Sequence, residues 1–269
     1  MIPAPFDYER PATLDEALGL LAKHGDDAKL LAGGHSLLPA MKLRLAQPKM
    51  VIDIGRLPDL RFIRREGGRF AIGALTTHYD LESSAELKES CPLLPEVAAT
   101  IGDVQVRNRG TIGGSLVHAD PAADWPAAIL ALDAEMEIAG PQGRRTVKAG
   151  EFFVDILQTA VGPGEILIAI RVPQTSARVA YEKFAQKASG FAVCGIAVAE
   201  GRVGITGVAA KPYRALAVEK ALAAGAADAA EKAVDGVDVL GDIHASAEFR
   251  AHLAGVLTRR ALERASQRA

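Results

Sequence analysis

Two glycine pairs, each with a serine close behind it, constrain this chain more than any other feature. The first lies in Ala32-Gly33-Gly34-His35-Ser36 and the second in Thr111-Ile112-Gly113-Gly114-Ser115. Glycine adopts positive φ angles and lets the backbone approach a ligand, so that consecutive N–H groups can converge on an anion. Each segment follows an apolar run and adds a hydroxyl group. Together the two segments predict a pair of loops that hold a pyrophosphate from both sides.

The glycine pairs also fit a simpler interpretation, in which each pair forms a tight turn and binds nothing. One pair alone favours neither interpretation, whereas two pairs in the same surroundings favour the anion site. The chain has no G-x-G-x-x-G segment after a predicted strand and no G-x-x-x-x-G-K-S/T segment. Because those patterns mark the Rossmann fold and the P-loop, any nucleotide is expected to be held by a different design.

Composition excludes several classes of protein. The 31 lysine and arginine residues nearly balance 33 aspartate and glutamate residues, so we expect no nucleic-acid partner. A hydrophobic content of 49% with 24% charged residues is typical of a globular protein and argues against disorder. Cys91 and Cys194 lie far apart and outside any C-x-x-C pattern. They predict neither a disulfide framework nor a cysteine-held zinc or iron–sulfur centre in this chain.

The polar residues near the second glycine pair leave several roles open. Arg107 and Arg109 could neutralise a phosphate or form surface ion pairs, and Asp124 could accept hydrogen bonds from ligand hydroxyls or face a helix dipole. No His-x-x-x-His or Glu-x-x-His spacing and no G-x-S-x-G segment is present. We therefore expect no metal site and no catalytic residue in this chain. Any chemistry must come with a cofactor.

Periodicity predicts a mixed set of helices and strands, hence an α+β fold. Thr13 and Glu16 predict a capped helix that ends at His24. The other predicted helices cover 77–88, 93–101, 121–132, 214–224 and 246–266. The predicted strands cover 28–32, 50–54, 61–64, 69–74, 134–139, 165–171, 178–186, 191–199 and 202–209, with a glycine-rich loop at 110–114.

Several segments together resemble one known family. The two glycine segments, with Val106-Arg-Asn-Arg-Gly110 before the second and His118-Ala-Asp-Pro-Ala-Ala-Asp124 after it, resemble the FAD-binding medium subunits of molybdenum hydroxylases. Within that family the chain is most similar to the medium chains of aerobic carbon monoxide dehydrogenases. The segments 5–10, 34–44 and 165–173 fit as well, so the resemblance covers essentially the whole chain.

The resemblance implies a p-cresol methylhydroxylase-type FAD-binding fold. Residues 1–176 are then the FAD-binding domain, made of two α/β subdomains at 1–55 and 56–176. Residues 177–269 are a C-terminal domain of the CO dehydrogenase flavoprotein type, with a small three-stranded antiparallel sheet and helices.

The resemblance also implies which residues hold FAD. The segments Ala32–Ser36 and Thr111–Ser115 are expected to bind its pyrophosphate, mainly through backbone N–H groups. Replacing Gly33 and Gly113 together by valine is then predicted to abolish FAD retention and to leave the fold largely intact.

Five further FAD contacts follow from the same resemblance. Asp124 is expected to contact FAD hydroxyls, Ile101 and Leu167 to line the isoalloxazine, and Lys187 to supply a basic contact. Phe191 stands where relatives carry tyrosine or tryptophan beside the ring. Because phenylalanine has no hydroxyl, a hydrogen bond made there is expected to be lost.

The implied activity is electron transfer within an oxidoreductase. Substrate is oxidised at a molybdenum cofactor on a large subunit, and electrons pass through [2Fe-2S] clusters on a small subunit to FAD and then to quinone, NAD or oxygen. A dimer of heterotrimers in the cytoplasm is expected, with an association to the inner face of the membrane through the acceptor as an option. Carbon monoxide is the leading substrate. The alternatives are an aldehyde or an N-heterocycle such as nicotine or xanthine, or a self-contained flavin reductase of the same superfamily.

Overall fold

The computed structural model describes residues 2–268, so Met1 and Ala269, the outer limits of the predicted domains, lie outside the described residues. The strands are β1 (Asp7–Glu9), β2 (Ala28–Leu31), β3 (Met50–Asp53), β4 (Ile63–Glu66), β5 (Arg69–Gly73), β6 (Glu135–Gly140), β7 (Gly143–Lys148), β8 (Phe153–Asp155), β9 (Gln158–Thr159), β10 (Ile166–Pro173), β11 (Val179–Ala185), β12 (Ala192–Ala199), β13 (Arg202–Thr206) and β14 (Tyr213–Arg214). The helices are α1 (Leu14–His24), α2 (Leu37–Lys42), α3 (His78–Ser83), α4 (Ala85–Ser90), α5 (Leu93–Ala99), α6 (Val104–Arg109), α7 (Ile112–His118), α8 (Trp125–Ala131), α9 (Ala149–Phe152), α10 (Leu216–Ala223) and α11 (Ala247–Gln267). No helix among these residues is long and apolar enough to cross a membrane.

The first part of the chain forms a small parallel sheet in the order β1-β3-β2. Helix α1 connects β1 to β2, the two strands that flank β3, and such a crossover lets both run parallel to it. Its start follows the predicted capping: the Thr13 hydroxyl accepts the N–H of Glu16 at 3.2 Å, and the Glu16 carboxylate accepts the N–H of Ala12 at 2.7 Å. The first glycine pair lies directly after β2 and before α2.

A five-stranded antiparallel sheet, ordered β4-β5-β10-β6-β7, forms the centre of the molecule. Its middle strand β10 is buried on both faces. Ile166 and Ile168 pack into the core shared with the small parallel sheet. Leu167 and Ile170 pack into the core beneath the central helices. This double burial explains why β10 is apolar throughout.

The last part of the chain forms an antiparallel sheet, ordered β11-β12-β13-β14, with α10 and α11 packed on it. The three strands predicted here are present, and the two-residue strand β14 is added to them. Helix α8 packs against the other face so closely that a Cβ on Gly204 would collide with the carbonyl of Ala127. Every residue of β12 is buried as a result.

Two predicted helices differ from those observed. The helix predicted at 77–88 is divided at Ser84, whose backbone is extended and whose hydroxyl accepts the N–H of Leu87 at 3.3 Å. The helix predicted at 121–132 begins only at Trp125, because the Asp120 carboxylate binds the N–H of Ala122 at 2.8 Å in a turn. Serine and aspartate compete for nearby N–H groups in this way.

The predicted glycine-rich loop at 110–114 is wrong in its second half. Gly113 and Gly114 lie in the first turn of α7, and Thr111 is the N-cap of that helix. Helix α6 and strand β7 were not predicted. Strand β7 is almost entirely exposed, so it has no apolar alternation that would reveal it.

Candidate functional site

The fold brings the two glycine segments side by side. A Cβ on Gly33 would collide with the carbonyl of Arg109 and would lie 2.9 Å from the Cα of Gly110. A Cβ on Gly114 would lie 3.8 Å from the Cβ of Ala32. Residues far apart in the chain therefore form one surface, as the paired motif predicts.

The first glycine segment presents unused hydrogen-bond donors. The N–H groups of four consecutive residues, Gly33 to Ser36, donate to no backbone or side-chain acceptor among residues 2–268. Gly34 has a φ angle of 80°, and the His35 imidazole lies 3.2 Å from the carbonyl of Gln105 on α6. Such a run of free N–H groups in a left-handed turn is suited to bind an anion.

The second segment uses its N–H groups within the chain. Each of the four N–H groups from Ile112 to Ser115 has an acceptor. These acceptors are the carbonyl of Thr76 at 3.0 Å for Ile112, that of Ala74 at 2.9 Å for Gly113, the hydroxyl of Thr111 at 3.1 Å for Gly114 and the carbonyl of Thr111 at 3.0 Å for Ser115. Of the backbone N–H groups expected to bind at Thr111–Ser115, only that of Thr111 has no acceptor among the described residues, so the backbone contribution of this segment stays a prediction. The half-buried Ser115 hydroxyl makes no bond among the described residues and is a further available donor.

Asp124 lies beneath the site rather than at its surface. Its carboxylate is 5% exposed, and it accepts the Tyr181 hydroxyl at 2.5 Å and the Lys183 ammonium at 2.8 Å and 2.9 Å. Burial raises the pKa of Asp124, and the adjoining ammonium and hydroxyl oppose that rise. Burial also raises the pKa of Tyr181 well above its usual value. Both oxygens of the carboxylate bond side chains of β11, so the structure does not place Asp124 in position to contact ligand hydroxyls directly.

The same lysine ties the C-terminal sheet to the predicted ring-binding wall. Lys183 Nζ donates to the carbonyl of Thr100 at 3.1 Å, directly before Ile101. Gly102 then contacts Gly190, where a Cβ would lie 3.6 Å from the Gly102 Cα. Two of the predicted ring contacts, Ile101 and Phe191, therefore adjoin this junction in the chain, and Phe191 is 46% exposed.

The structure gives less support to two of the predicted FAD contacts, Leu167 and Lys187. Leu167 is 4% exposed and packs into the central core, because its position in β10 directs it away from open surface. Lys187 is exposed in a turn and makes no hydrogen bond among residues 2–268. The lysine that the structure joins to Asp124 is Lys183, two residues after Tyr181 in β11. The Tyr-x-Lys spacing could have indicated that both side chains meet Asp124, since alternate residues of a strand point to one face.

The flanking arginines are divided between two roles. Arg107 donates to the Glu82 carboxylate at 2.7 Å and to the carbonyl of Ile101 at 3.2 Å. Arg109 is exposed and forms no ion pair within the described part of the chain. The charge of Arg107 is therefore used in an ion pair with Glu82. Of these two arginines, Arg109 is the one whose charge could face an anion.

Sequence reasoning missed His78, which lies between the two glycine segments. Its Nδ1 accepts the indole N–H of Trp125 at 3.1 Å, and its backbone N–H donates to the carbonyl of Gly110 at 3.0 Å. Burial lowers the pKa of His78 to about 4. The signal available was a histidine directly after a helix N-cap, in Thr77-His78, five residues beyond the end of β5.

No group of three or more histidine, cysteine, aspartate or glutamate residues in the described ranges could hold a metal ion. Cys91 and Cys194 are both buried and unpaired with each other, and burial raises the pKa of each thiol to about 12. Neither thiol is therefore ionised near neutral pH.

Comparison with known proteins assigns both parts of the chain. Residues 4–175 match the family described as the FAD binding domain in molybdopterin dehydrogenase, and residues 179–265 match the CO dehydrogenase flavoprotein C-terminal domain. The chain is 42% identical to the carbon monoxide dehydrogenase medium chain of Hydrogenophaga pseudoflava, over 98% of each chain. It is 37% identical to the 6-hydroxypseudooxynicotine dehydrogenase complex subunit alpha of Paenarthrobacter nicotinovorans, over 100% of this chain and 97% of that one.

A solved structure shows the same fold. The carbon monoxide dehydrogenase of Hydrogenophaga pseudoflava that lacks the Mo-pyranopterin moiety of the molybdenum cofactor superposes with a TM-score of 0.94 and 42% identity, covering 100% of both chains. The predicted fold class is thereby confirmed.

The residues present fit the cofactor of this family. The free N–H groups of 33–36 and the hydroxyls of Ser36 and Ser115 are donors suited to a pyrophosphate, and the adjoining glycines keep side chains out of the space between them. The chain belongs to the FAD-binding medium subunits of the carbon monoxide dehydrogenase-like molybdenum hydroxylases, and it is an FAD-binding subunit of an oxidoreductase.

Proposed function

We propose that this chain is the electron-transfer subunit of a heteromeric molybdenum hydroxylase. In this proposal a large partner oxidises the substrate at a molybdenum cofactor, and a small partner carries [2Fe-2S] clusters that supply electrons to the FAD held here. FAD, when bound, supplies chemistry that accepts electrons singly and releases them as a pair. The observation that carries the proposal is the run of unused N–H groups at 33–36, in a chain that matches medium chains over its whole length.

Each part of the site then has a physical role. The first glycine segment binds the pyrophosphate through its N–H groups, and Ser115 adds a hydroxyl from the second segment. Ile101 and Phe191 form a wall for the isoalloxazine, with no hydroxyl at residue 191. The buried contacts of Lys183 with Asp124 and with the Thr100 carbonyl hold that wall in position.

The proposed domains share this work. Residues 1–55 supply the first glycine segment and residues 56–176 the second. Residues 177–269 supply Lys183 and Phe191. A separate sheet in each region supports the division. The C-terminal domain therefore contributes to the flavin environment as well as to the fold.

We propose carbon monoxide as the substrate of the complex. The 42% identity to a carbon monoxide dehydrogenase medium chain exceeds the 37% identity to a relative named for 6-hydroxypseudooxynicotine. An aldehyde or an N-heterocycle is the alternative, since the substrate would be oxidised on a partner. The acceptor (quinone, NAD or oxygen), the dimer of heterotrimers and the cytoplasmic location stay predictions.

Co-expression with the large and small partner subunits tests the proposal. We expect the purified complex to contain FAD, iron and molybdenum, and its flavin absorbance to bleach when carbon monoxide is added without oxygen. A complex reassembled with Gly34→Ala should keep the iron–sulfur signal but hold less FAD and deliver electrons to an added dye more slowly. If the isolated chain instead oxidises NADH or NADPH with a small substrate of its own, it is a self-contained reductase and the proposal is wrong.

A further inference from the structure

His78 is a buried histidine whose tautomer is set by a neighbouring tryptophan. Its side chain is 4% exposed, and the indole N–H of Trp125 donates to its Nδ1 at 3.1 Å. Because Nδ1 is an acceptor in this bond, the neutral ring carries its proton on Nε2. Burial lowers the pKa of His78 to about 4, so the ring is neutral at physiological pH.

The Nε2–H group lies against the junction of the two glycine segments. A Cβ on Gly110 would be 2.7 Å from Nε2, and the Cα of Gly110 would be 2.9 Å from a Cβ on Gly33. Among residues 2–268, Nε2 has no hydrogen-bond acceptor. Nε2 is not among the fully buried polar atoms without a partner, so it reaches open space at this junction, where a ligand oxygen could accept its N–H.

The charged groups around His78 do not provide the missing acceptor. Two basic neighbours, His35 and Arg107, lower the pKa of His78 further, because each disfavours a second positive charge beside it. The carboxylates on the elements packed against it are already paired with bases. These pairs are Asp80 with Arg61 and Glu82 with Arg107 for α3, Glu96 with Arg264 and Arg268 for α5, and Asp124 with Lys183 at α8. None of these carboxylates accepts the Nε2–H, which is therefore available to an oxygen of a ligand.

We propose that His78 is a further FAD-binding residue, whose Nε2–H donates to the pyrophosphate bound by the first glycine segment. The inference rests on the proposed function, because it takes residues 33–36 as the pyrophosphate site. A neutral donor suits this position, since it binds the anion without requiring a buried imidazolium when FAD is absent.

Two substitutions in the full chain separate this role from a structural one. His78→Asn keeps an acceptor where Nδ1 faces Trp125 and removes the Nε2 donor. His78→Gln keeps a donor near Nε2 and removes the acceptor for Trp125. We expect the dissociation constant for FAD to rise about 10-fold or more in His78→Asn, since a hydrogen bond to a charged acceptor is lost. His78→Gln should stay within about 3-fold of the parent chain, as should the exposed control His118→Asn.

The parent chain allows a second measurement that needs no substitution. With 15N-labelled histidine, the pKa of His78 is read by NMR with and without FAD. An anion accepting from Nε2 favours the imidazolium, so the pKa should rise by about one unit or more when FAD binds. Trp125, the single tryptophan of the chain, reports by its fluorescence whether each variant keeps the local fold.

The outcomes are distinct. If His78→Asn binds FAD as tightly as the parent chain, or if the pKa of His78 does not change on FAD binding, His78 is a structural residue and the inference is overturned. If His78→Gln loses as much affinity as His78→Asn, a donor near Nε2 does not determine the affinity and the inference also fails. A parent chain that binds no FAD at all would instead refute the proposed pyrophosphate site.

Discussion

The two glycine segments share a sequence pattern and use their backbones in opposite ways. At 33–36 the N–H groups have no acceptor among the described residues, and Gly34 is left-handed with φ at 80°. At 112–115 every N–H group is bonded within the chain, and both glycines lie in a helical turn. The first pair is thus arranged for binding, and the second is arranged mainly for packing.

The comparison shows that a glycine pair does not by itself specify a loop. Gly113 is needed because α7 lies against β5's end: a Cβ would be 2.5 Å from the Ala74 Cβ and 2.6 Å from its carbonyl oxygen. Gly34 is needed because of its φ angle, while the nearest atoms to its Cβ belong to the flexible side chains of Leu38 and Leu31. One glycine relieves a steric conflict and the other permits a conformation.

The largest effect is expected from Gly113→Val. Its side chain would overlap the backbone of Ala74, so the free energy of unfolding should fall by about 3 kcal/mol, measured by urea unfolding without FAD. The expectation that the double valine variant of Gly33 and Gly113 keeps its fold is therefore not supported, since a Cβ on Gly33 would also meet backbone at Arg109. Parent-like stability of Gly113→Val would show that the second segment is not the packed one.

Low pH is expected to destabilise the junction between the segments through His78. Its folded pKa of about 4 lies below the ordinary histidine value of 6.5, so the unfolded chain binds more protons between these values. Stability is therefore fully present above pH 6.5 and declines as the pH falls towards 4, by about 3 kcal/mol in total. Urea unfolding across that range measures it. His78→Gln, which cannot titrate there, should show a smaller decline, and parallel profiles would contradict the assignment.

Gly34→Ala tests the binding role of the first segment. The alanine must adopt a left-handed φ angle, which costs about 1 kcal/mol of stability, and the shifted N–H groups should weaken FAD binding about 10-fold. Gly67→Ala is the control, because Gly67 also has a positive φ, of 54°, with nothing within 4 Å of its Cβ. It should lose similar stability and keep its FAD affinity. Equal losses of affinity in both variants would attribute the effect to strain alone.

The smallest effects are expected from the serine hydroxyls. Ser36→Ala and Ser115→Ala should each raise the dissociation constant for FAD about 3- to 10-fold, with little change in stability, because each removes one donor. Titration followed by flavin fluorescence measures the dissociation constant of each variant. Ser83→Ala serves as a control, since that hydroxyl bonds the Tyr79 carbonyl at 2.7 Å away from the site. Unchanged affinity in Ser115→Ala would leave the first segment as the whole pyrophosphate site.

Much of the fold could be predicted because its signals are local. The cap at Thr13, the hairpin of β4 and β5, and the three main strands of the C-terminal sheet follow from capping, alternation and apolar runs. The break at Ser84 and the late start of α8 could not, since each depends on one side chain that competes for a nearby N–H group. Strand β7 escaped prediction because its residues are exposed.

The sequence by itself determined the family, the fold class and the pairing of the two glycine segments, because these depend on residue types at set positions along the chain. Only the tertiary structure decided which N–H groups remain free, that Lys183 rather than Lys187 meets Asp124, and that His78 lies beneath Gly110. The physical reason is that a donor is free or engaged according to the atoms packed next to it. Here those atoms come from segments distant in the chain, such as Ala74 beside Gly113 and Trp125 beside His78.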